Sequence, residues 1–397
     1  MAEPRRRYSA GGAAHPVRRG PRLAWAAALA VVAAGSVVVQ ASSCNDPSAD
    51  AASTSSSSAS SGGFNLDGGD DGANFCGNEF HKVVVKTPLL YFVMDASGSM
   101  KELAEGNHTR YALLHDAAQD LVASLGPLIR VGAAVFPHGA SQDNACVEGK
   151  EVLPPTAGDK SGTLAKAFGT ATSVTPFGGT PTAATLHALA PKFKNAFEDN
   201  AGPEVVLLVT DGGPNCNEAL SCDVDSCIPN IDKLCPKQDG NCCEPPIGSG
   251  ANCIDKGATL AAIHEITSQG AFVYVIGLDV GDAYESTLAQ MAIVGGAAQP
   301  GDPFYYRVND LDALAATFGS IAADLISCEI ALVDPPSSMG LTNVYLDGTA
   351  LVQDPVDGWV WDGADKIDLV GAACAKLKTG KVTDVQVVTG CPTETPK

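Results

Sequence analysis

Between residues 88 and 326, short runs of consecutive apolar residues alternate with longer segments in which apolar residues recur at helical spacing. The short runs lack the polar alternation of a half-exposed strand, so they indicate strands that are buried on both faces. We predict strands over residues 88–94, 129–136, 204–210, 271–278 and 304–308. We predict helices over residues 110–125, 181–197, 258–267, 283–294 and 311–326. This order is typical of an α/β fold with a doubly wound, mostly parallel sheet that helices cover on both faces.

The segments that flank this region have different patterns. After residue 328, Asp347-Gly348 separates two short apolar runs, which is a hairpin signal. We therefore predict a small β-rich appendage over residues 329–397, following an α/β domain over residues 76–328. Residues 45–75 consist mostly of Ser, Ala, Gly and Asp, and this composition predicts a disordered linker.

Residues 1–44 have the features of an export signal. A basic stretch precedes an apolar run over residues 23–39, and small residues stand directly before Cys44. This ending resembles the cleavage site of a bacterial lipoprotein, in which Cys44 would become the lipidated N-terminus that anchors the chain to a membrane. Ordinary signal cleavage near Ser43 and an uncleaved membrane anchor remain alternatives. We expect an envelope lipoprotein, periplasmic or at the cell surface, or a secreted protein if the lipidation site is not used.

The exported part of the chain is strongly acidic. The whole chain has a formal net charge of -20, and residues 45–397 carry 19 basic and 44 acidic side chains, which gives -25. Such a charge repels the phosphate backbone, so nucleic acid is excluded as an expected partner.

The chain has 13 cysteines, and 12 remain when Cys44 is set aside for lipidation. Disulfides are the expected use of these residues in an exported chain, because the paired C-x-x-C knuckles of zinc sites do not occur. The disulfide candidates are Cys76, Cys146, Cys216, Cys222, Cys227, Cys235, Cys242, Cys243, Cys253, Cys328, Cys374 and Cys391.

Seven of these candidates lie in a Cys-rich insertion over residues 213–254. Because seven is odd, one of them must pair outside the insertion, and Cys146 with Cys216 is the nearest combination. The other six are expected to pair within the insertion, in an order that the sequence leaves open. The insertion is expected either to form part of a partner-binding surface or to act as a stabilising flap.

Five oxygen-bearing side chains stand at the ends or starts of predicted elements. Asp95, Ser97 and Ser99 alternate in the loop that leaves the first strand, so their side chains point to the same side. Thr180 precedes a predicted helix, and Asp211 follows the most apolar strand. Open α/β sheets bind ligands at the carboxyl ends of their strands, and the predicted topology brings all five oxygens to that edge. Such hard donors suit one divalent cation, with Mg²⁺ preferred and Mn²⁺ or Ca²⁺ as alternatives.

The D-x-S-x-S motif that begins at Asp95, the Gly-Gly-Thr that ends at Thr180 and the T-D-G around Asp211 resemble the metal-ion-dependent adhesion site of von Willebrand factor A domains. The resemblance implies that Ser97, Ser99 and Thr180 provide hydroxyl ligands, whereas Asp95 and Asp211 act directly or through water. In that family a carboxylate of a protein partner fills the open position of the metal. The resemblance therefore implies a metal-dependent binding or adhesion function in the cell envelope.

The same resemblance bears on the cysteines outside the insertion. The chain ends of A domains lie close together, which implies a disulfide between Cys76 and Cys328 at the base of the domain. Cys374 and Cys391 would then pair within the appendage.

Catalysis is not expected from this sequence. His264-Glu265 lacks the second histidine of a zinc protease motif, because Ser268 stands in its place. The D-x-S-x-S loop lacks the leading glycine of a nucleophile elbow, so neither an enzyme nor a small-molecule substrate is predicted. A second hypothesis is a scaffold lipoprotein of the envelope, whose A-type domain assembles with other subunits without metal-dependent capture. A motif that only braces its loops is a further alternative.

Overall fold

The structure is a computed structural model that describes residues 64–65, 76–193, 202–235, 240–382 and 384–395. The predicted signal peptide, its lipidation candidate Cys44 and almost all of the predicted linker lie outside these ranges. Within the ranges, none of the helices has both the length and the apolar character that a membrane crossing requires.

Among the described residues, strands outnumber helices. In chain order, the strands are β1 (Phe64–Asn65), β2 (Glu79–His81), β3 (Val83–Val85), β4 (Leu89–Asp95), β5 (Arg130–Phe136), β6 (Lys150–Ala157), β7 (Glu204–Thr210), β8 (Phe272–Leu278), β9 (Tyr306–Val308), β10 (Glu329–Leu332), β11 (Thr342–Leu346), β12 (Thr349–Leu351), β13 (Gly358–Trp361), β14 (Lys366–Val370) and β15 (Val385–Thr389). The α-helices are α1 (Arg110–Leu125), α2 (Thr163–Ala171), α3 (Thr182–Leu189), α4 (Ile228–Ile231), α5 (Lys256–Thr267), α6 (Asp282–Val294), α7 (Leu311–Leu325) and α8 (Gly371–Lys378).

A six-stranded sheet with the order β6-β5-β4-β7-β8-β9 forms the centre of the α/β region. Neighbouring strands from β5 to β9 run parallel, and only the edge strand β6 is antiparallel to its neighbour. The predicted fold class is confirmed. β4 lies between β5 and β7, so the loop that leaves its carboxyl end is flanked by two parallel strands.

Alternate side chains of β4 enter two separate cores. Leu90, Phe92 and Met94 pack in a core that α1, α2 and α7 share, whereas Tyr91 and Val93 pack against α3, α5 and α6. All of these side chains are fully buried. Burial of each large apolar side chain contributes roughly 1.5–3 kcal/mol, so the strand that carries the first candidate ligand is held firmly from both faces.

The sequence did not predict β6 and α2, which belong to the α/β region. The residues of β6 are mostly exposed or half-buried and include two adjacent prolines, Pro154 and Pro155, so no apolar run marks this edge strand. α2 follows it and buries Phe168 against Phe92, with ring centroids 5.1 Å apart. Strand prolines are typical of sheet edges, where an amide donor is not needed.

The remaining strands form two smaller antiparallel sheets, with the orders β1-β3-β10-β14-β13 and β12-β11-β15-β2. β11 and β12 form the hairpin predicted at Asp347-Gly348, with Leu346 opposite Thr349. β2 pairs with β15, and β3 pairs with β10. Thus β2 and β3, which directly precede the α/β sheet, are hydrogen-bonded to strands that follow it. The sequence analysis had placed β2 and β3 in the range 76–328, and β10 and β15 in the appendage.

The expected pairing of the four outer cysteines is wrong. Cys76 pairs with Cys391, and Cys328 pairs with Cys374. Strand pairing explains both bonds. Cys76 precedes β2 and Cys391 follows β15, and the antiparallel register places Glu79 opposite Thr389. Similarly, β10 follows Cys328 and pairs with β14, which leads into α8 and its Cys374.

The insertion has one outward disulfide and three internal ones. Cys146 pairs with Cys216, so the loop after β5 is fastened to the start of the insertion. The internal pairs, whose order the sequence left open, are Cys222–Cys253, Cys227–Cys243 and Cys235–Cys242.

Candidate metal site

Asp95 is the last residue of β4 and is completely buried. Its Oδ1 accepts a hydrogen bond of 2.8 Å from the backbone N–H of Ser97, and its Oδ2 accepts one of 2.6 Å from Thr210 Oγ1. Thr210 ends the neighbouring strand β7, so the parallel pairing of β4 and β7 brings the two side chains together. These two bonds fix the orientation of the carboxyl group.

A chain of hydrogen bonds joins the next three predicted ligands. Ser97 Oγ lies 3.1 Å from Ser99 Oγ, and Ser99 Oγ donates to Asp211 Oδ1 at 2.8 Å. The structure therefore brings Asp95, Ser97, Ser99 and Asp211 together at the carboxyl edge of the sheet.

Thr180 lies on an adjacent loop that is joined to the Ser97 loop through the backbone. The N–H of Gly98 donates to the carbonyl of Gly178 at 2.9 Å. The N–H of Thr180 donates to Asn215 Oδ1 at 2.6 Å, and the Thr180 carbonyl accepts from the Asn215 N–H at 2.9 Å. Thr180 is 8% exposed, and its described hydrogen bonds are all made by its backbone rather than by its hydroxyl. This hydroxyl is therefore available to a ligand.

The two glycines before Thr180 allow this close packing. Gly178 has a φ of 101°, and a Cβ there would lie 2.5 Å from the carbonyl oxygen of Ala145. A Cβ on Gly179 would lie 2.5 Å from the sulfur of Cys216, in the disulfide with Cys146. Glycine is the residue that tolerates both the positive φ and the close contacts, so this part of the motif serves packing.

Arg110 is a site residue that the sequence analysis missed. This first residue of α1 donates to Asp211 Oδ2 at 3.0 Å and to Asp279 Oδ2 at 2.5 Å, and it lies 2.9 Å from Glu102 Oε2. Its guanidinium group is thus ion-paired with one of the two predicted carboxylate ligands. No residue pattern around Arg110 marks it for this position, because the contact depends on how α1 packs beside the sheet.

Burial and neighbouring negative charge disfavour ionisation of both carboxyl groups of the site. Burial, together with the charge of Asp211, raises the pKa of Asp95 to about 7. Burial also raises the pKa of Asp211, against the lowering effects of the Ser99 hydrogen bond and the Arg110 guanidinium. Such a buried pair is stabilised when a cation compensates its charge.

The sequence profile of the von Willebrand factor type A domain matches residues 90–320, which is more than half of the chain. The chain belongs to this family. The matched range contains all five predicted metal ligands and Arg110, together with the whole Cys-rich insertion.

Solved structures with a similar fold share little sequence with this A domain. They include the pilus adhesin SpaC from Lactobacillus rhamnosus GG (15% identity, TM-score 0.44, 77% of this chain and 40% of that chain covered). The PilB minor pilin from Streptococcus sanguinis has 18% identity and a TM-score of 0.39, with 60% of each chain covered. The manganese-loaded TRAP protein from Plasmodium vivax has 16% identity and a TM-score of 0.36, with 79% of this chain and 97% of that chain covered. The chain thus spans less than two thirds of SpaC and PilB. No curated protein matches the sequence.

A divalent cation fits the residues of this A domain. Hydroxyl and carboxylate oxygens are the donors that Mg²⁺, Mn²⁺ and Ca²⁺ accept, and the buried carboxyl pair needs a compensating positive charge. Ser97, Ser99 and Thr180 would hold the ion through their hydroxyls, with Asp95 and Asp211 directly or through water.

Replacement of Thr180 should weaken Mg²⁺ binding without changing the stability of the fold. We expect Thr180→Ala to weaken Mg²⁺ binding about tenfold or more, because even residues behind the ligands typically contribute that much. Stability in EDTA should change by less than about 0.5 kcal/mol, since the described hydrogen bonds of Thr180 are made by its backbone and would be kept. Calorimetric titration with Mg²⁺ and urea unfolding in EDTA measure the two quantities.

Thr185→Ala is the matched control. The Thr185 hydroxyl donates to the Pro181 carbonyl at 2.8 Å and accepts from the Gly149 N–H at 2.8 Å. Its loss should cost about 1–3 kcal/mol of stability and leave the Mg²⁺ affinity nearly unchanged. Equal Mg²⁺ affinities for Thr180→Ala and the wild type would remove Thr180 from the ligand set.

Proposed function

We propose that this A domain is a divalent-metal-dependent binding or adhesion protein of the cell envelope, which engages an acidic group of a protein partner and catalyses no reaction. The observation that carries the proposal is the meeting of Asp95, Ser97, Ser99 and Asp211 at one sheet edge, beside the available hydroxyl of Thr180. A bound Mg²⁺ would supply an electrophilic centre with room for one oxygen ligand from outside the chain.

The charges of the site favour an anionic partner. Asp95 and Asp211 carry at most two negative charges, and Arg110 already neutralises Asp211 in part. The hydroxyl groups of Ser97, Ser99 and Thr180 add no charge. Because three of the five predicted ligands are neutral hydroxyls, a bound divalent cation would keep electrophilic character, and a carboxylate of the partner would be a suitable further ligand.

The proposed location follows from the cysteines and the N-terminal residues. Six disulfides favour an oxidising compartment outside the cytosol. Lipidation of Cys44 would hold the domain at a membrane surface through the linker over residues 45–75. Palmitate labelling of the wild-type chain and its loss in Cys44→Ser would test this anchor.

Capture of partners from envelope extract tests the proposed function. We expect the immobilised protein to retain its partner in Mg²⁺ and to release it in EDTA, with retention restored when Mg²⁺ is added back. Asp95→Asn should capture no partner in either condition, because its metal site is impaired. Cross-linking mass spectrometry in Mg²⁺ and in EDTA would then identify the acidic partner residue. Capture that is equal in Mg²⁺ and EDTA would instead favour the scaffold function.

A further inference from the structure

A groove of about 610 Å³ lies between α3 and α5, outside the candidate metal site. Alanines from both helices line it, namely Ala183, Ala184, Ala258, Ala261 and Ala262. Small side chains on both helices leave an open apolar channel that a narrow aliphatic group can enter.

Asp255 lines this groove and is only 4% exposed. Its backbone is fully used: the N–H donates to the Pro214 carbonyl at 2.8 Å, and the carbonyl accepts from Thr259. Its carboxylate accepts no hydrogen bond from the described residues, although Asp255 stands at the N-cap of α5, where aspartate usually caps the helix. The carboxylate thus makes no cap bond and lines the groove, where a cation can pair with it.

The other carboxylates that line the groove carry the same sign of charge as Asp255. Glu218 and Glu265 line it, and none of its described lining residues is Lys or Arg. His187 is the one basic group among those lining residues, and its Nδ1 lies 2.6 Å from Glu265 Oε2. Lys and Arg side chains have a long aliphatic stem and a cationic end. In an apolar channel lined by carboxylates, the stem can be buried while the cationic end pairs with a carboxylate.

The groove adjoins the loop of the metal site. Pro181 and Asn215 line it, and both are neighbours of Thr180: Pro181 follows it in sequence, and Asn215 forms two hydrogen bonds with its backbone. If a partner residue binds at the metal site, other residues of the same partner can therefore reach the groove.

We propose that this groove is a subsite for a basic side chain, Lys or Arg, of the protein partner, with Asp255 as the buried counter-charge. The role of this subsite in partner recognition rests on the proposed function, whereas binding of the basic group itself requires no metal. The partner would then present an acidic residue to the metal and a basic residue to the groove.

Small probes test this subsite on the whole protein in EDTA. The probes are Nα-acetyl-lysine N-methylamide, the corresponding arginine derivative and the uncharged norleucine derivative, which keeps the lysine stem without its ammonium group. By ligand-observed NMR titration we expect the wild type to bind the lysine or arginine probe at least tenfold more tightly than the norleucine probe. Asp255→Asn should lose that preference, and Asp312→Asn, which removes an equal charge at an exposed position of α7, should keep it.

Ala258→Leu is a second variant that fills the groove from an exposed helix position and leaves Asp255 in place. It should weaken binding of all three probes. Equal binding of the lysine and norleucine probes by the wild type, or full retention of lysine and arginine binding by Asp255→Asn, would overturn the subsite. Asp95→Asn should bind the probes normally, so a failed metal site and a failed subsite give different results.

Discussion

Asp95→Asn is expected to abolish measurable Mg²⁺ binding, with an affinity at least about 100-fold below that of the wild type. The substitution keeps the shape of the side chain and an oxygen that can accept from the Ser97 N–H. It removes the negative charge that lies deepest in the site, which leaves Asp211 as the remaining carboxylate among the five predicted ligands. Isothermal titration with Mg²⁺ measures the loss directly, and it should be accompanied by loss of partner capture.

Two control measurements, of heat stability in EDTA and of Mg²⁺ binding by a second variant, test this expectation. In EDTA, Asp95→Asn should be at least as heat-stable as the wild type at neutral pH, because burial and the charge of Asp211 raise the pKa of Asp95 and penalise its ionised form. Asp312→Asn should bind Mg²⁺ like the wild type, since it removes an equal charge at an exposed position. Equal heats of Mg²⁺ binding for Asp95→Asn and the wild type would show that this sheet edge holds no metal.

Loss of the Cys146–Cys216 disulfide should have the next largest effect. The bond joins residues 70 apart in sequence, and closure of a loop of that length stabilises a fold by about 4 kcal/mol in the chain-entropy description. We expect Cys146→Ser with Cys216→Ser to lower the free energy of unfolding by about that amount, measured by urea unfolding. Cys216 also directly follows Asn215, which holds the Thr180 backbone, so Mg²⁺ affinity should fall about tenfold as well.

The Cys235–Cys242 disulfide provides the control for this second effect. It closes a loop of residues only 7 apart within the insertion, and it has no described contact with the five predicted ligands. Cys235→Ser with Cys242→Ser should cost about 2 kcal/mol of stability and leave Mg²⁺ affinity unchanged. If the Cys146/Cys216 variant also kept wild-type Mg²⁺ affinity, the disulfide would stabilise the fold without influencing the metal site.

The sequence predicted the interior of the α/β region well, because buried strands need unbroken apolar runs. The clearest of these runs, Glu204–Thr210, forms β7 with the predicted bounds. β6 escaped prediction because an edge strand is half-exposed and needs no such run. The outer disulfides were assigned wrongly for a related reason: the pairing of β2 with β15 is a contact between distant short strands, which no local pattern encodes.

The candidate site was predictable only where a motif specifies it. Asp95, Ser97, Ser99 and Asp211 meet as the motif implies, because the loops that carry them leave adjacent parallel strands. Arg110 could not be identified, since its position beside Asp211 arises from helix packing. The unpartnered carboxylate of Asp255 was equally hidden, because only the structure shows that this N-cap residue of α5 makes no side-chain cap bond.

The pairing of β2 and β3 with strands that follow the α/β sheet has a mechanical consequence. If the protein is held from its N-terminal side, a pull arrives at Cys76 and divides between two covalent routes. One route runs through β2 and β3 directly into β4 and its Asp95 end; the other crosses to Cys391, passes back to Cys374 and reaches α7 through Cys328. Tension is therefore shared between the strand that begins the metal site and the helix packed beside it.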